Sequence, residues 1–258
     1  MPVSSTGHLI LLDEFIFLGG SEEFKSMFDV VIQLGAILAV IVLFFHKLNP
    51  FAPSKSKAEK NGTWILWFKV CVAILPSGIL GVLFDDWMEA HLHHGIPVAI
   101  ALIVYGIAFL FLEKGNKGQY TRRIGDVHDI DWKTAIFIGC FQALSLIPGT
   151  SRSGSTILGA ILLGVGRGAG AEFSFFMAIP TMLGASAIKL LKYFKDTGFG
   201  MASDELTVLL VGMVVSFIVS LLVIRGLMDY VRKHSFAVFG VYRMILGIVV
   251  LVYFLLIA

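Results

Sequence analysis

Long apolar runs alternate with short polar connections along almost the whole chain. A helix needs about 20 residues to cross a membrane, because the hydrocarbon core is about 30 Å thick and each residue adds about 1.5 Å. Six runs are long enough and nearly free of charge, so the pattern predicts six transmembrane helices. The predicted spans are residues 27–45, 64–84, 96–112, 173–194, 207–224 and 237–257.

Two further apolar stretches do not fit a complete crossing. Residues 9–18 are too short, and residues 134–165 are interrupted at their centre by glycine and polar residues. Irregular backbone at membrane depth is tolerated only where protein or a wet cavity surrounds it, because unpaired backbone groups are costly in lipid. We therefore predict two re-entrant hairpins, each of which enters and leaves the membrane on one face.

The distribution of charge sets the predicted orientation. Cytoplasmic connections carry an excess of Lys and Arg. The basic connections, which we place inside, are residues 46–63, 113–133 and 225–236. This arrangement requires the hairpin of residues 134–165 to enter from the cytoplasmic face and that of residues 9–18 to enter from the opposite face.

Two hairpins that enter from opposite faces are typical of an inverted repeat. The repeats would cover about residues 1–112 and about residues 134–258. The sequence offers a short match in support, in which Pro2-Val3-Ser4-Ser5 aligns with Pro148-Gly149-Thr150-Ser151. The predicted fold is an all-α integral membrane protein with a single membrane domain over residues 1–258.

Composition agrees with a membrane protein and narrows the partners. Hydrophobic residues make up 57% of the chain and charged residues 15%, against about 45–50% and about 25% in soluble domains. No basic patch interleaves with aromatic residues, so we expect no nucleic acid partner. The first residues lack a basic segment followed by an apolar core, so we expect no signal peptide there.

The interruption of residues 134–165, which we call the polar loop, has the composition of a phosphate site. Pro148 ends the preceding helix, and Gly149 and Gly154 allow close approach of the backbone. A helix N-terminus after the loop offers unpaired N–H groups, and Arg152 adds a positive fork of donors. The polar loop is Pro148-Gly149-Thr150-Ser151-Arg152-Ser153-Gly154-Ser155-Thr156.

A second interpretation of the polar loop stays open at this point. The loop could be a cytoplasmic turn in which Arg152 reaches lipid headgroups and a hydroxyl caps the helix. The short apolar arms and the cost of burying an arginine without a role favour the anion site.

The first residues of the chain are the candidate partner of the polar loop. Ser5 and His8 would be neighbours on one helical turn, so that a hydroxyl and an imidazole could act on one substrate. Glu172 is a candidate metal ligand or a partner that orients Arg152, although an acidic residue in a helix's first turn is also common.

The polar loop resembles the PGxSRSxxT motif of the bacterial undecaprenyl-diphosphate phosphatases, the bacitracin-resistance family. Three other segments are similar to segments of that family, and together they extend the resemblance over essentially the whole chain. They are Pro2-Val3-Ser4-Ser5-Thr6-Gly7-His8, Phe28-Asp29-Val30-Val31-Ile32-Gln33-Leu34-Gly35 and Glu172-Phe173-Ser174-Phe175.

The resemblance implies an enzyme that hydrolyses undecaprenyl pyrophosphate to undecaprenyl phosphate and inorganic phosphate. This reaction recycles the lipid carrier of cell-wall synthesis and confers bacitracin resistance. The implied location is the bacterial cytoplasmic (inner) membrane. Whether the protein forms a homodimer is left open. The implied catalytic residues are Ser5, His8, Ser151 and Arg152, and the implied substrate-binding residues are Ser4, Gly149, Ser153, Gly154 and Thr156.

One departure from the family pattern concerns a metal. The resemblance implies a divalent cation, magnesium or calcium, bound by carboxylates of a stretch EGxTEFLP, and the chain begins at Met1, just before Pro2. Glu172 is the candidate left within the chain. We therefore expect little activity from the chain as written and recovery on extending it upstream. The alternatives are a lipid-phosphate flippase or transporter, or an inactive truncated phosphatase.

Overall fold

The computed structural model describes residues 2–13, 19–92, 95–115, 124–198 and 200–256. Within these ranges the chain is built from α-helices joined by short turns, which confirms the predicted all-α class. The helices are α1 (Ser5–Asp13), α2 (Glu22–Val31), α3 (Gln33–Leu43), α4 (Phe45–Leu48), α5 (Lys57–Leu92), α6 (Gly95–Gly115), α7 (Trp132–Ala143), α8 (Arg152–Leu162), α9 (Arg167–Thr197), α10 (Ser203–Lys233) and α11 (Ala237–Leu256).

The six predicted spans are confirmed among the described residues. Six helical segments are long and apolar enough to cross a membrane, and one coincides with each predicted span. Most observed helices extend beyond the predicted bounds. The prediction was based on apolar residues alone, whereas the helices also include polar residues at their ends. The first span differs in being two helices, α2 and α3, which join at Ile32.

The interrupted apolar stretch of residues 134–165 forms a helical hairpin. Helices α7 and α8 contain 12 and 11 residues, or about 18 Å and about 16 Å, so neither can cross a core of about 30 Å. They pack against each other. Asp131 caps α7 by accepting a hydrogen bond from the Thr134 N–H, which holds the pKa of the Asp131 carboxyl below its usual value.

The other predicted hairpin is described in part. Helix α1 covers the first half of the apolar stretch at residues 9–18, and it begins earlier than that stretch, at Ser5. Residues 14–18 lie outside the described residues. Ser5 and His8 fall in the first turns of α1, so the helical turn on which they would be neighbours is present.

The chain forms two compact units, and each combines segments that are distant in sequence. The first consists of Met1–Ile16, Phe68–Ser174 and Met228–Ala258. It contains the close pairing of α6 with α11, where a Cβ added to Gly106 would lie 2.8 Å from the Gly240 carbonyl oxygen. Small residues at a helix crossing allow backbones to approach in this way. Helix α11 of this pairing contains Tyr242 and Arg243.

The second unit consists of Phe17–Trp67 and Phe175–Leu227. Its core joins α2 to α9 and α10, and α3 lies against the α10 backbone at Gly35. Because each unit draws on both halves of the sequence, the units do not coincide with the expected repeats at residues 1–112 and 134–258. That division stays a prediction. The core residues are Phe24, Met27, Val31, Tyr193 and Leu209.

Candidate functional site

Ser151 caps the helix that follows the polar loop and has a strained backbone. Its φ is +69°, and its Oγ accepts a hydrogen bond from the Gly154 N–H at 3.2 Å. Left-handed conformations of residues other than glycine cost about 1–3 kcal/mol and cluster at functional sites. The serine therefore turns the chain sharply into α8.

Ser4 repeats this arrangement at the start of α1. Its φ is +65°, and its Oγ accepts a hydrogen bond from the Gly7 N–H at 3.3 Å. Within the described residues, Ser4 and Ser151 are the non-glycine residues with positive φ. The two helices thus begin with the same local structure, built from a serine cap and a glycine in the first turn.

This likeness corrects the register of the sequence match. The structure pairs Ser4 with Ser151, whereas the sequence match paired Ser5 with Ser151. The reason is that the turn after Pro2 is shorter by one residue than the turn after Pro148. In the corrected register, Ser5 and Arg152 each stand first in their helix.

Arg152 supplies a buried donor that lacks a partner. Its Nη1 is buried and makes no hydrogen bond within the described part of the chain, nor does the guanidinium pair with a described carboxylate. An unpaired buried donor costs free energy unless something binds it. The partial positive charge of the α8 N-terminus lies beside this donor, and both features favour a bound anion.

Ser153 and Thr156, the other polar residues predicted to bind substrate, differ in their burial. Ser153 is half-buried, with its Oγ 3.5 Å from the Ser151 Oγ. Thr156 is fully buried, and its hydroxyl is hydrogen-bonded to the Ser174 hydroxyl at 2.6 Å and to the Arg152 carbonyl at 3.0 Å. This conformation therefore does not present Thr156 to a ligand, and its role in substrate binding stays a prediction.

The two glycines of the loop lie where no side chain fits. Gly149 has a φ of +91°, and an added Cβ would lie 2.6 Å from the Val98 carbonyl oxygen. An added Cβ at Gly154 would lie 2.8 Å from Nη1 of Arg243. The predicted close approach of the backbone is thus real, and its partners are α6 and a side chain of α11.

His8 is fixed by hydrogen bonds at both ring nitrogens. Its Nδ1 lies 2.7 Å from the Ser4 carbonyl oxygen, and its Nε2 lies 2.6 Å from the Tyr242 hydroxyl. A carbonyl oxygen only accepts, so Nδ1 carries a hydrogen, and in the neutral ring Nε2 accepts from Tyr242. Ser5, by contrast, is exposed.

Tyr242 and Arg243 were missed by the sequence interpretation. Arg243 is completely buried, and its Nη2 donates to the carbonyl oxygens of Gly149 at 2.7 Å and Thr150 at 2.8 Å. The available signal was that Arg243 is the single charged residue of the last predicted span. A charge inside a span is costly and commonly functional.

Glu172 lies beyond the first turn of its helix, because α9 begins at Arg167. The interpretation of Glu172 as an acidic residue of a helix's first turn is therefore wrong. Its buried carboxylate accepts a hydrogen bond from Arg232 at 3.2 Å. Within the described ranges, no group of three His, Cys, Asp or Glu residues could hold a metal ion. The described donors near the polar loop are hydroxyl, imidazole and guanidinium groups, whereas magnesium and calcium prefer carboxylate oxygens. These residues alone therefore do not fit a divalent cation.

Comparison with known proteins decides the family. A family model described as bacitracin resistance protein BacA matches residues 1–249. The chain belongs to the BacA family. The resemblance drawn from the polar loop and the first residues is thereby confirmed.

Curated relatives of this BacA family member are similar over nearly their whole length. A protein named undecaprenyl-diphosphatase from Latilactobacillus sakei subsp. sakei (strain 23K) is 56% identical over 97% of this chain and 90% of the relative. Another of that name, from Lactiplantibacillus plantarum (strain ATCC BAA-793 / NCIMB 8826 / WCFS1), is 54% identical over 100% of this chain and 93% of the relative. A third, from Enterococcus faecalis, is 57% identical over 97% of this chain and 90% of the relative.

Proposed function

We propose that this BacA family member hydrolyses undecaprenyl pyrophosphate to undecaprenyl phosphate and inorganic phosphate. Its relatives carry the name undecaprenyl-diphosphatase. The observation in the structure that carries the proposal is the unpaired Arg152 Nη1 at the N-terminus of α8. A multi-pass protein of this kind would act in the bacterial cytoplasmic (inner) membrane, where it recycles the lipid carrier and confers bacitracin resistance.

The reaction transfers the terminal phosphoryl group of the lipid pyrophosphate. The bond between the terminal phosphorus and the bridging oxygen breaks, and undecaprenyl phosphate leaves with the electron pair. Negative charge on the transferred oxygens must be stabilised during this step. The Arg152 guanidinium and the backbone N–H of Arg152, the first residue of α8, are fixed donors that can contact these oxygens, whereas the Gly154 N–H is already bonded to the Ser151 Oγ. Ser151 caps the first turn of α8 and so keeps the donors in place.

Ser5 is the better candidate for the nucleophile in this structure. Ser5 is an exposed residue, whereas both ring nitrogens of His8 already hold hydrogen bonds. In the proposed step, Ser5 Oγ forms the new bond to phosphorus and its proton passes to His8 Nε2 as Tyr242 releases that nitrogen. Water then attacks the phosphoserine, which frees inorganic phosphate and regenerates the serine.

A trapped covalent intermediate tests this assignment. After a short incubation with lipid pyrophosphate labelled at the terminal phosphorus and an acid quench, we expect an acid-stable label on Ser5, because phosphoserine survives acid. The Ser5→Ala variant should carry no label. A label on His8 that survives a parallel alkaline quench and is lost in acid would make histidine the nucleophile and overturn the assignment to Ser5.

Product analysis distinguishes hydrolysis from transport. Purified protein in detergent, given undecaprenyl pyrophosphate, should release one inorganic phosphate for each undecaprenyl phosphate formed. The assay compares the chain as written with the chain extended upstream, and the extended chain should be the more active. A flippase or transporter would bind the lipid and release no phosphate. The involvement of magnesium or calcium is a further proposal from the family resemblance, tested in the same assay by adding EDTA and then either ion. Release that EDTA leaves unchanged would contradict the proposed cation.

A further inference from the structure

We propose that Arg243 is a positioning residue that holds the turns before α1 and α8 together, so that both helix N-termini can act on one substrate. The inference rests on the proposed hydrolysis, since it concerns the same site. The turns in question are Pro2–Ser4 and Gly149–Ser151. They lie far from Arg243 in sequence, and all three segments belong to the first compact unit.

The guanidinium of Arg243 contacts both turns. Its Nη2 donates to the carbonyl oxygens of Gly149 and Thr150 at 2.7 Å and 2.8 Å, and its Nη1 makes a longer bond of 3.5 Å to the Pro2 carbonyl oxygen. The Tyr105 ring covers the guanidinium carbon at 5.4 Å from the ring centre. One rigid side chain from α11 thus bridges the two turns.

These contacts explain how the strain at Ser151 is maintained. A trans peptide is planar, so its C=O and N–H point in opposite directions. Because Arg243 fixes the Thr150 carbonyl, it also fixes the Ser151 N–H and thus the whole peptide plane between the two residues. The positive φ of Ser151 is measured relative to this plane, so the contact restrains it. Without this restraint the peptide could turn toward an unstrained conformation and displace the cap of α8.

The lack of a side chain at Gly154 leaves the space that the Arg243 guanidinium occupies. Gly154 lies so close that an added Cβ would be 2.8 Å from Arg243 Nη1. The absence of a side chain at Gly154 therefore leaves room for the guanidinium beneath the first turn of α8. Lysine cannot replace these contacts, because an ammonium is a point charge and cannot reproduce the planar fork of donors.

The buried positive charge of Arg243 also affects the electrostatic potential of the site. The side chain is completely buried, and within the described chain its partners are neutral carbonyls rather than carboxylates. A buried charge without a counter-ion is costly. Its field adds to that of Arg152 and of the α8 N-terminus, and all three favour a bound anion. Arg243 would thus position the loop and make the site more electropositive, without touching the substrate.

Steady-state kinetics of Arg243→Lys and Arg243→Gln test the proposal. The lysine variant keeps the charge and loses the bridge, so we expect kcat to fall about 100-fold, the effect of a misplaced site, with little change in KM. The glutamine variant also loses the charge, so KM should rise as well. The matched control is Arg225→Gln, which changes an exposed arginine of α10. Wild-type kcat in both folded Arg243 variants would overturn the proposal.

Two additional measurements keep the outcome interpretable. If Arg243→Lys does not fold, Gly154→Ala tests the same contact, because its methyl group would displace the guanidinium; unchanged kcat in a folded Gly154→Ala protein would overturn the proposal. If neither the chain as written nor the chain extended upstream releases phosphate, the proposed hydrolysis fails separately. Thermal unfolding with inorganic pyrophosphate then decides about Arg243, since stabilisation of wild type but not of Arg243→Gln supports its role, and equal stabilisation of both contradicts it.

Discussion

Replacing Arg152 by alanine is expected to lower the rate of phosphate release by about 1,000-fold or more, the effect of removing a fixed donor from a charged transition state. The reason is that the variant loses both the buried, unpaired Nη1 and the positive charge beside the α8 N-terminus. The measurement is release of inorganic phosphate from undecaprenyl pyrophosphate in detergent.

Two further variants make the Arg152 result specific. Arg152→Lys restores the charge without the planar fork, so its activity should lie between those of the alanine variant and wild type. Arg225→Ala removes an exposed arginine of α10 and should leave the rate unchanged. If Arg152→Ala and Arg225→Ala lose equally little activity, the polar loop is not the phosphate site.

Gly149→Ala is expected to destabilise the protein by about 2–5 kcal/mol, from backbone strain and overpacking together, and to abolish activity. The φ of +91° is unfavourable for alanine, and the added Cβ would lie 2.6 Å from the Val98 carbonyl oxygen and 3.0 Å from the Val98 Cα. Both contacts are with the α6 backbone, which cannot rotate away as a flexible side chain could. Thermal unfolding in detergent measures the loss of stability.

Two other glycines separate the causes of this effect. Gly164 has a φ of +84° and nothing within 4 Å of an added Cβ, so Gly164→Ala should show the cost of strain alone. Gly78 lies within α5 and also has open space around an added Cβ, so Gly78→Ala should be neutral or stabilising. If Gly149→Ala is no more destabilising than Gly164→Ala, the close approach to Val98 has no energetic consequence.

The membrane spans could be predicted because their length and apolarity are local properties of the sequence. Each of the six predicted spans coincides with an observed helical segment. The break between α2 and α3 at Ile32 was not predicted, because the residues on both sides of it are apolar and helix-compatible. The polar loop was also local, since Pro148, the glycines and the hydroxyl residues are adjacent in sequence.

The remainder of the candidate site depends on contacts between distant residues. Tyr242 meets His8 across 234 positions, and Arg243 meets Pro2 across 241. No local pattern encodes such contacts, although a lone arginine in an apolar span was a signal that could have been used. The register of the two turns was misplaced by one residue because backbone dihedral angles, not residue types, define the matching serines, Ser4 and Ser151.

Binding of the pyrophosphate group can be measured without turnover by using undecaprenyl methylenediphosphonate, in which a P–CH2–P bridge replaces the cleavable P–O–P bridge. In the proposed site, the N-terminus of α8 and Arg152 bind this group. We therefore predict that wild-type protein binds this lipid and that Arg152→Ala binds it about 100-fold more weakly, as expected when a charge-assisted contact is lost. Equal affinity of the two proteins would contradict the account.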